Sequence, residues 1–110
     1  MKLPNPRRAV VDLAKLTDYC LSPKHPRGRH KARVFAASLN IASRNADHLR
    51  AALLRAASMN EAIPTRRDVY GQRYMLDFEM KGPAGPVVVR STWIVLAHED
   101  FARMTSCYVL

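Results

Sequence analysis

Arg73-Tyr74-Met75-Leu76-Asp77-Phe78-Glu79-Met80-Lys81-Gly82-Pro83-Ala84-Gly85-Pro86-Val87-Val88-Val89-Arg90-Ser91-Thr92-Trp93-Ile94-Val95-Leu96 is the stretch on which the fold turns. Tyr74, Leu76, Phe78 and Met80 alternate with Arg73, Met75, Asp77 and Glu79, the period of two of a half-buried strand. Lys81 to Pro86 is turn chemistry from end to end. Val87 to Leu96 is apolar on nearly both faces, with Arg90, Ser91 and Thr92 as its polar middle, and reads as a central strand. Downstream, His98-Glu99-Asp100 makes a turn and Met104 to Leu110 a last strand. Upstream, Ile63 to Val69 is basic, weakly apolar and broken by Pro64, which suits an edge strand, with Tyr70-Gly71-Gln72 as its turn. Short turns between neighbouring strands imply antiparallel pairing.

Before Glu61 the period is helical. Asp12 is a candidate N-cap for a short helix whose Leu13, Leu16, Tyr19 and Cys20 share one face; Leu21-Ser22-Pro23 ends it. Ala32, Phe35, Ala36 and Leu39 form the apolar face of a second helix. Ile41 to Arg44 connects, and Asn45 caps a third helix with Leu49, Ala52, Leu53 and Ala56 as its stripe. Arg44, Arg50 and Arg55 read as a solvated face. Residues 1 to 8, with Pro4, Pro6 and three cations, read as a loosely held basic arm, and Ala9 to Val11 as a short strand or an anchor for it. The expectation is an α+β fold in a single domain, residues 1–110: two or three N-terminal helices packed on one face of an antiparallel sheet of about four strands.

The charge balance narrows the partners. The 110 residues carry eighteen Lys and Arg against nine Asp and Glu, a net charge of +9 and a pI near 10.3. Such a surface attracts polyanions, by counterion release where the partner is a nucleic acid. A basic domain without a nucleic-acid partner, or a basic partner of an acidic protein, is the plainer alternative. Cys20 and Cys107 are too far apart in sequence to announce a metal site or a disulfide framework and read as small buried apolar residues. No segment is apolar enough to span a bilayer, and Met1 to Arg8 lacks the features of a signal peptide. These features point to a cytoplasmic chain, or to a piece delivered by a larger carrier.

Ser22-Pro23-Lys24-His25-Pro26-Arg27-Gly28-Arg29-His30-Lys31 concentrates cations, two histidines and turn residues immediately before the second helix. The four histidines show no ligand spacing with cysteine or carboxylates, and the acids are scattered. A metal or other cofactor is not expected. No Walker pattern or GxGxxG is present. RNA cleavage without a metal needs a base for the 2′-hydroxyl, an acid for the leaving oxygen, and cations for the phosphoryl charge. His25, Arg29, His30 and Lys31 would supply these groups from one loop, beside the free N–H groups of a helix start. The bland counterpart is a loop held together by its histidines, with solvated cations. Arg90 and Thr92 share one strand face and would complete a site if that face is open; Trp93 and Tyr108 would stack a base if they are not buried.

Lys15-Leu16-Thr17-Asp18-Tyr19, then His25-Pro26, Gly28, His30-Lys31-Ala32 and Phe35, then Thr92-Trp93-Ile94-Val95 and Tyr108, resemble a small bacterial domain-of-unknown-function family with an HPxGxHKA-type motif. Similar modules occur alone and as tips of polymorphic and contact-dependent toxins. The layout is in turn similar to the barnase, EndoU, colicin and RelE ribonuclease superfamily. The resemblance implies a metal-independent ribonuclease toxin that cleaves tRNA or other structured RNA to a 2′,3′-cyclic phosphate and is held by an acidic antitoxin or immunity protein. The matching catalytic positions are His25, His30, Lys31, Thr92 and Tyr108; Lys24, Arg27, Arg29, Arg33 and Arg90 are the candidate RNA-phosphate contacts, and Arg27 and Arg29 are the less secure of these. The rival expectation is a non-catalytic basic module that binds RNA or protein in a toxin–antitoxin or immunity system, with no membrane role.

Overall fold

The computed structural model describes residues 1–110. Strands β1 (Ile63–Asp68), β2 (Gly71–Gly82), β3 (Gly85–Leu96) and β4 (Arg103–Val109) form one antiparallel sheet in sequence order. β2 and β3 pair without a break from Gly71 opposite Leu96 to Gly82 opposite Gly85. The expected central strand therefore has a partner on each side, and β1 lies at an edge.

The alternation of side chains sorts the two faces of the sheet. Tyr74, Leu76 and Phe78 of β2, Val89 and Trp93 of β3, and Met104 and Cys107 of β4 enter the core shared with the helices. One buried polar group lies on this face, and it is paired: Trp93 Nε1 donates to Ser91 Oγ at 2.8 Å, and Ser91 Oγ donates to Leu76 O at 2.7 Å. Trp93, 1% exposed, is therefore a core residue and not a base-stacking platform. The opposite face presents two rows across the strands, Asp77–Arg90–Tyr108 and Met75–Thr92–Ser106, polar apart from Met75.

The first helix departs from the expected stripe. Asp12 caps it, accepting from the Ala14 N–H at 3.0 Å, but after α1 (Leu13–Lys15) the chain widens into a π turn (Leu16–Cys20), closed by Leu21 N–H donating to Leu16 O at 2.8 Å. The wider turn buries Leu16 and Cys20, leaves Leu13 39% exposed and turns Tyr19 toward the basic loop. Helix α2 (Arg29–Leu39) buries Ala32, Phe35 and Leu39, while Ala36 stays exposed on its flank; Asn40 in the left-handed region, φ 55°, ends it. In α3 (Ala46–Met59), Leu49 and Leu53 are fully buried, with Ala56 and Ala57 beside them. Asn45 precedes α3 but does not cap it: its Oδ1 accepts from the Ala42 N–H at 3.1 Å and closes the connector instead.

Residues 1 to 8 are held more tightly than a loose arm. Leu3 is 1% exposed within the core, Asn5 Nδ2 donates to Asp100 O, and Arg8 pairs with Asp100. Val10 bridges Arg103 of β4, and Arg50, exposed as expected, also acts as a tether through Nε, which donates to Val11 O at 2.9 Å. No helix is long and apolar enough to cross a membrane.

Candidate functional site

The basic loop, the π turn and strand β4 converge at one place, and Gly28 sets the approach. A Cβ on this residue would lie 2.0 Å from the Tyr19 carbonyl oxygen, so the loop backbone passes against the π turn at a distance that only glycine allows. His25 fastens the loop. Its Nδ1 accepts the N–H groups of Arg27 and Gly28, each at 3.0 Å, and its ring meets Tyr19 edge to face at 4.8 Å between centroids. An acceptor at Nδ1 puts the imidazole proton on Nε2.

Lys31, in the first turn of α2, projects past the edge of β4. Its Nζ donates to Tyr19 Oη and, at 3.3 Å, to Ser106 Oγ. The same ammonium sits 4.5 Å from the centre of the Tyr19 ring and 5.7 Å from that of Tyr108. No carboxylate pairs with it. A half-buried cation held by hydroxyls and ring faces keeps its positive potential available to an incoming anion.

The outward sheet face continues the cluster. Thr92 Oγ1 and Thr105 Oγ1 are 2.7 Å apart across the β3–β4 register shift, which places an extra residue, Thr105, beside Thr92. Arg90 lies opposite Tyr108 but is already engaged by Asp77, Nε to Oδ1 and Nη2 to Oδ2 both at 2.9 Å. That fork holds the Asp77 carboxyl below its ordinary range and raises the guanidinium, with Tyr108 a lesser contributor. Beneath Ser106 lie the buried, free Cys20 and Cys107 thiols. Their mutual influence lowers the Cys20 thiol against the opposing effect of burial, and raises that of Cys107.

Two clefts flank these groups. His30, Lys31, Val34, Tyr108 and Val109 line one of about 240 Å³; Tyr19, His25, Thr105, Lys15, Asp12 and Asp18 line another of about 460 Å³. The largest concavity, about 600 Å³, lies elsewhere, between α3 and the far end of β2, and contains none of them. No three histidine, cysteine or carboxylate side chains gather as a metal-binding group.

Of the residues singled out from sequence, His25, His30, Lys31, Thr92 and Tyr108 fall within this region, and Arg90 borders it with its charge paired. Lys24 and Arg27 stand exposed in the loop, and Arg29 and Arg33 line a groove on the other flank of α2. Tyr19, Thr105 and Ser106 are not among the candidate site residues read from the sequence. Tyr19 looked like a core residue because a regular helix would have put it on the stripe, and Ser106 becomes visible only through its pairing opposite Thr92.

Comparison with known proteins adds two findings. The model of the family described as Domain of unknown function (DUF6883) matches residues 2–110. A chain of the contact-dependent growth inhibition toxin - immunity protein complex from Klebsiella pneumoniae 342 shares the fold, with a TM-score of 0.68 and 18% identity over 94% of this chain and 95% of that one. No curated protein matches.

Proposed function

This chain belongs to the DUF6883 family, and from that premise we propose that it is a toxin module acting as a metal-independent ribonuclease on tRNA or another structured RNA. The observation that carries the reading is Lys31, a half-buried ammonium without a carboxylate partner, set between two tyrosine rings beside hydroxyl groups of β4. The net charge of +9 draws RNA toward the surface, and the fold shared with a chain of a toxin–immunity complex supports a toxin with an acidic immunity partner.

In the reaction, His30 takes the proton of the 2′-hydroxyl. The 2′-oxygen attacks phosphorus, the bond to the 5′-oxygen breaks, and Tyr108 donates the proton that the leaving oxygen needs. The products are a 2′,3′-cyclic phosphate and a free 5′-hydroxyl. Lys31 stabilises the charge on the non-bridging oxygens, and Thr92, Thr105 and Ser106 shape the polar floor. His30 is assigned the base because its ring makes no hydrogen bond, whereas His25 Nδ1 is committed to the loop. His25 is a positioning residue: through Gly28 and Tyr19 it sets where Lys31 sits.

Induced expression in a bacterial host tests the toxin reading. Growth arrest with fragmented tRNA is the expected result for the native chain, and normal growth is expected for Lys31→Met. A native chain tolerated at high level with intact RNA contradicts it.

A further inference from the structure

The positive charge is distributed unevenly over the fold. On the sheet, Arg66, Arg73, Arg90 and Arg103 all pair with carboxylates. Between Asp18 and Asp47 the sequence holds no Asp or Glu, and Lys24, Arg27, Arg29, Lys31, Arg33 and Arg44 form no ion pair. Three of these six converge on one surface. Arg29 and Arg33 project from the flank of α2 away from Lys31, and Arg44 faces them from the connector before α3, around a groove of about 400 Å³. Its floor includes Ala32, Ala36 and Ala42, small side chains that let a bulky ligand approach the helix closely. No carboxylate lines it.

We propose that the Arg29–Arg33–Arg44 groove is a second phosphate-binding subsite, which carries the sugar–phosphate backbone of the RNA on from the phosphate held at Lys31. The inference rests on the ribonuclease reading and extends it to the substrate's footprint. Positions 29, 33 and 36 fall on one side of the helix and 31 on another, so a strand reaching both must cross the first turn of α2, over His30. A single dinucleotide step would occupy the Lys31 site without filling the groove. The chain therefore selects RNA long enough, and suitably bent, to engage both flanks of the helix. Arginine suits this task, since its planar fork grips phosphate oxygens two at a time. An acidic polypeptide is the competing occupant; the alanine floor and the continuity with Lys31 favour RNA.

The test measures binding of total transfer RNA in EDTA across a salt series, in a Lys31→Met background that does not cleave. Adding Arg29→Gln, Arg33→Gln and Arg44→Gln is expected to weaken binding at least tenfold near physiological salt and to flatten the slope of log affinity against log salt by about 2. Replacing three equally unpaired cations elsewhere, Arg7, Arg55 and Lys81, is expected to change the slope much less. Circular dichroism confirms that each variant is folded. If the groove variant matches the Arg7, Arg55 and Lys81 variant, the subsite is refuted while the ribonuclease reading stands. If the groove variant keeps its RNA binding and instead loses binding to polyglutamate, the groove is a protein interface. If the Lys31→Met chain and the native chain both fail to bind RNA, the ribonuclease reading falls and the subsite with it.

Discussion

Lys31 and His25 come from one basic stretch, yet the structure separates their tasks. Lys31 points into a setting of tyrosine rings and hydroxyls; His25 turns its Nδ1 back to two backbone N–H groups. Replacing His25 by alanine removes the acceptor of both N–H groups; water reaches the exposed Arg27 donor but not readily that of Gly28, and a cost of about 1 kcal/mol in stability is expected. His25→Asn restores an acceptor close to Nδ1, as asparagine does in turns. Thermal unfolding should place this variant near the native chain, and RNA cleavage should survive in it; a folded His25→Asn chain without activity would instead make His25 a proton-transfer group. His30→Ala is expected to keep its stability and to lose cleavage by about 10²- to 10⁴-fold, measured as initial rates. The concentration of histidines and cations in this loop was readable from residue types alone. Which histidine holds the loop was not, because the choice depends on a ring orientation that no spacing encodes.

The strands were readable because period-two alternation and turn chemistry agree along β2 and β3, and their unbroken register follows from that agreement. Two irregularities escaped the same approach: the π turn at Leu16–Cys20 and the extra residue at Thr105. Both arise from packing against a neighbouring element, and both shape the site, one by turning Tyr19 outward and the other by bringing Thr105 to Thr92. Gly28 marks where the loop meets the π turn. Gly28→Ala drives a methyl group into the Tyr19 carbonyl, so a loss of about 1–3 kcal/mol is expected, together with reduced cleavage as Tyr19 moves from Lys31. Chemical denaturation and cleavage rates check this. An alanine variant as stable and as active as the native chain would show that the close approach is dispensable.

Across the whole molecule, acids and bases are segregated: carboxylates pair with every arginine of the sheet except Arg67, and the stretch from the loop through the connector keeps its cations free. Net charge alone suggested a polyanion partner but not which surface meets it, because that depends on which arginines find carboxylates in the fold. The Leu3 anchor was equally hidden, since prolines and cations around it masked a buried side chain. The pairing has a pH signature. Asp68, Asp77 and Glu99 are held below their ordinary values by hydrogen bonds from Arg73, Arg90 and Arg103. Depressed carboxylates stabilise the folded chain above their unfolded pKa values near 4, and that contribution is lost as the pH falls through the lower folded values. The unfolding temperature should therefore fall below about pH 4, and less steeply in Asp77→Asn; identical profiles would show that the Asp77–Arg90 fork contributes nothing. The site itself is tested most directly by incubating the purified chain with total transfer RNA in EDTA and analysing the ends of the products. Discrete fragments with 2′,3′-cyclic phosphate ends, lost in Lys31→Met, are the expected result; no cleavage at any enzyme level, or equal cleavage by Lys31→Met, would contradict the account.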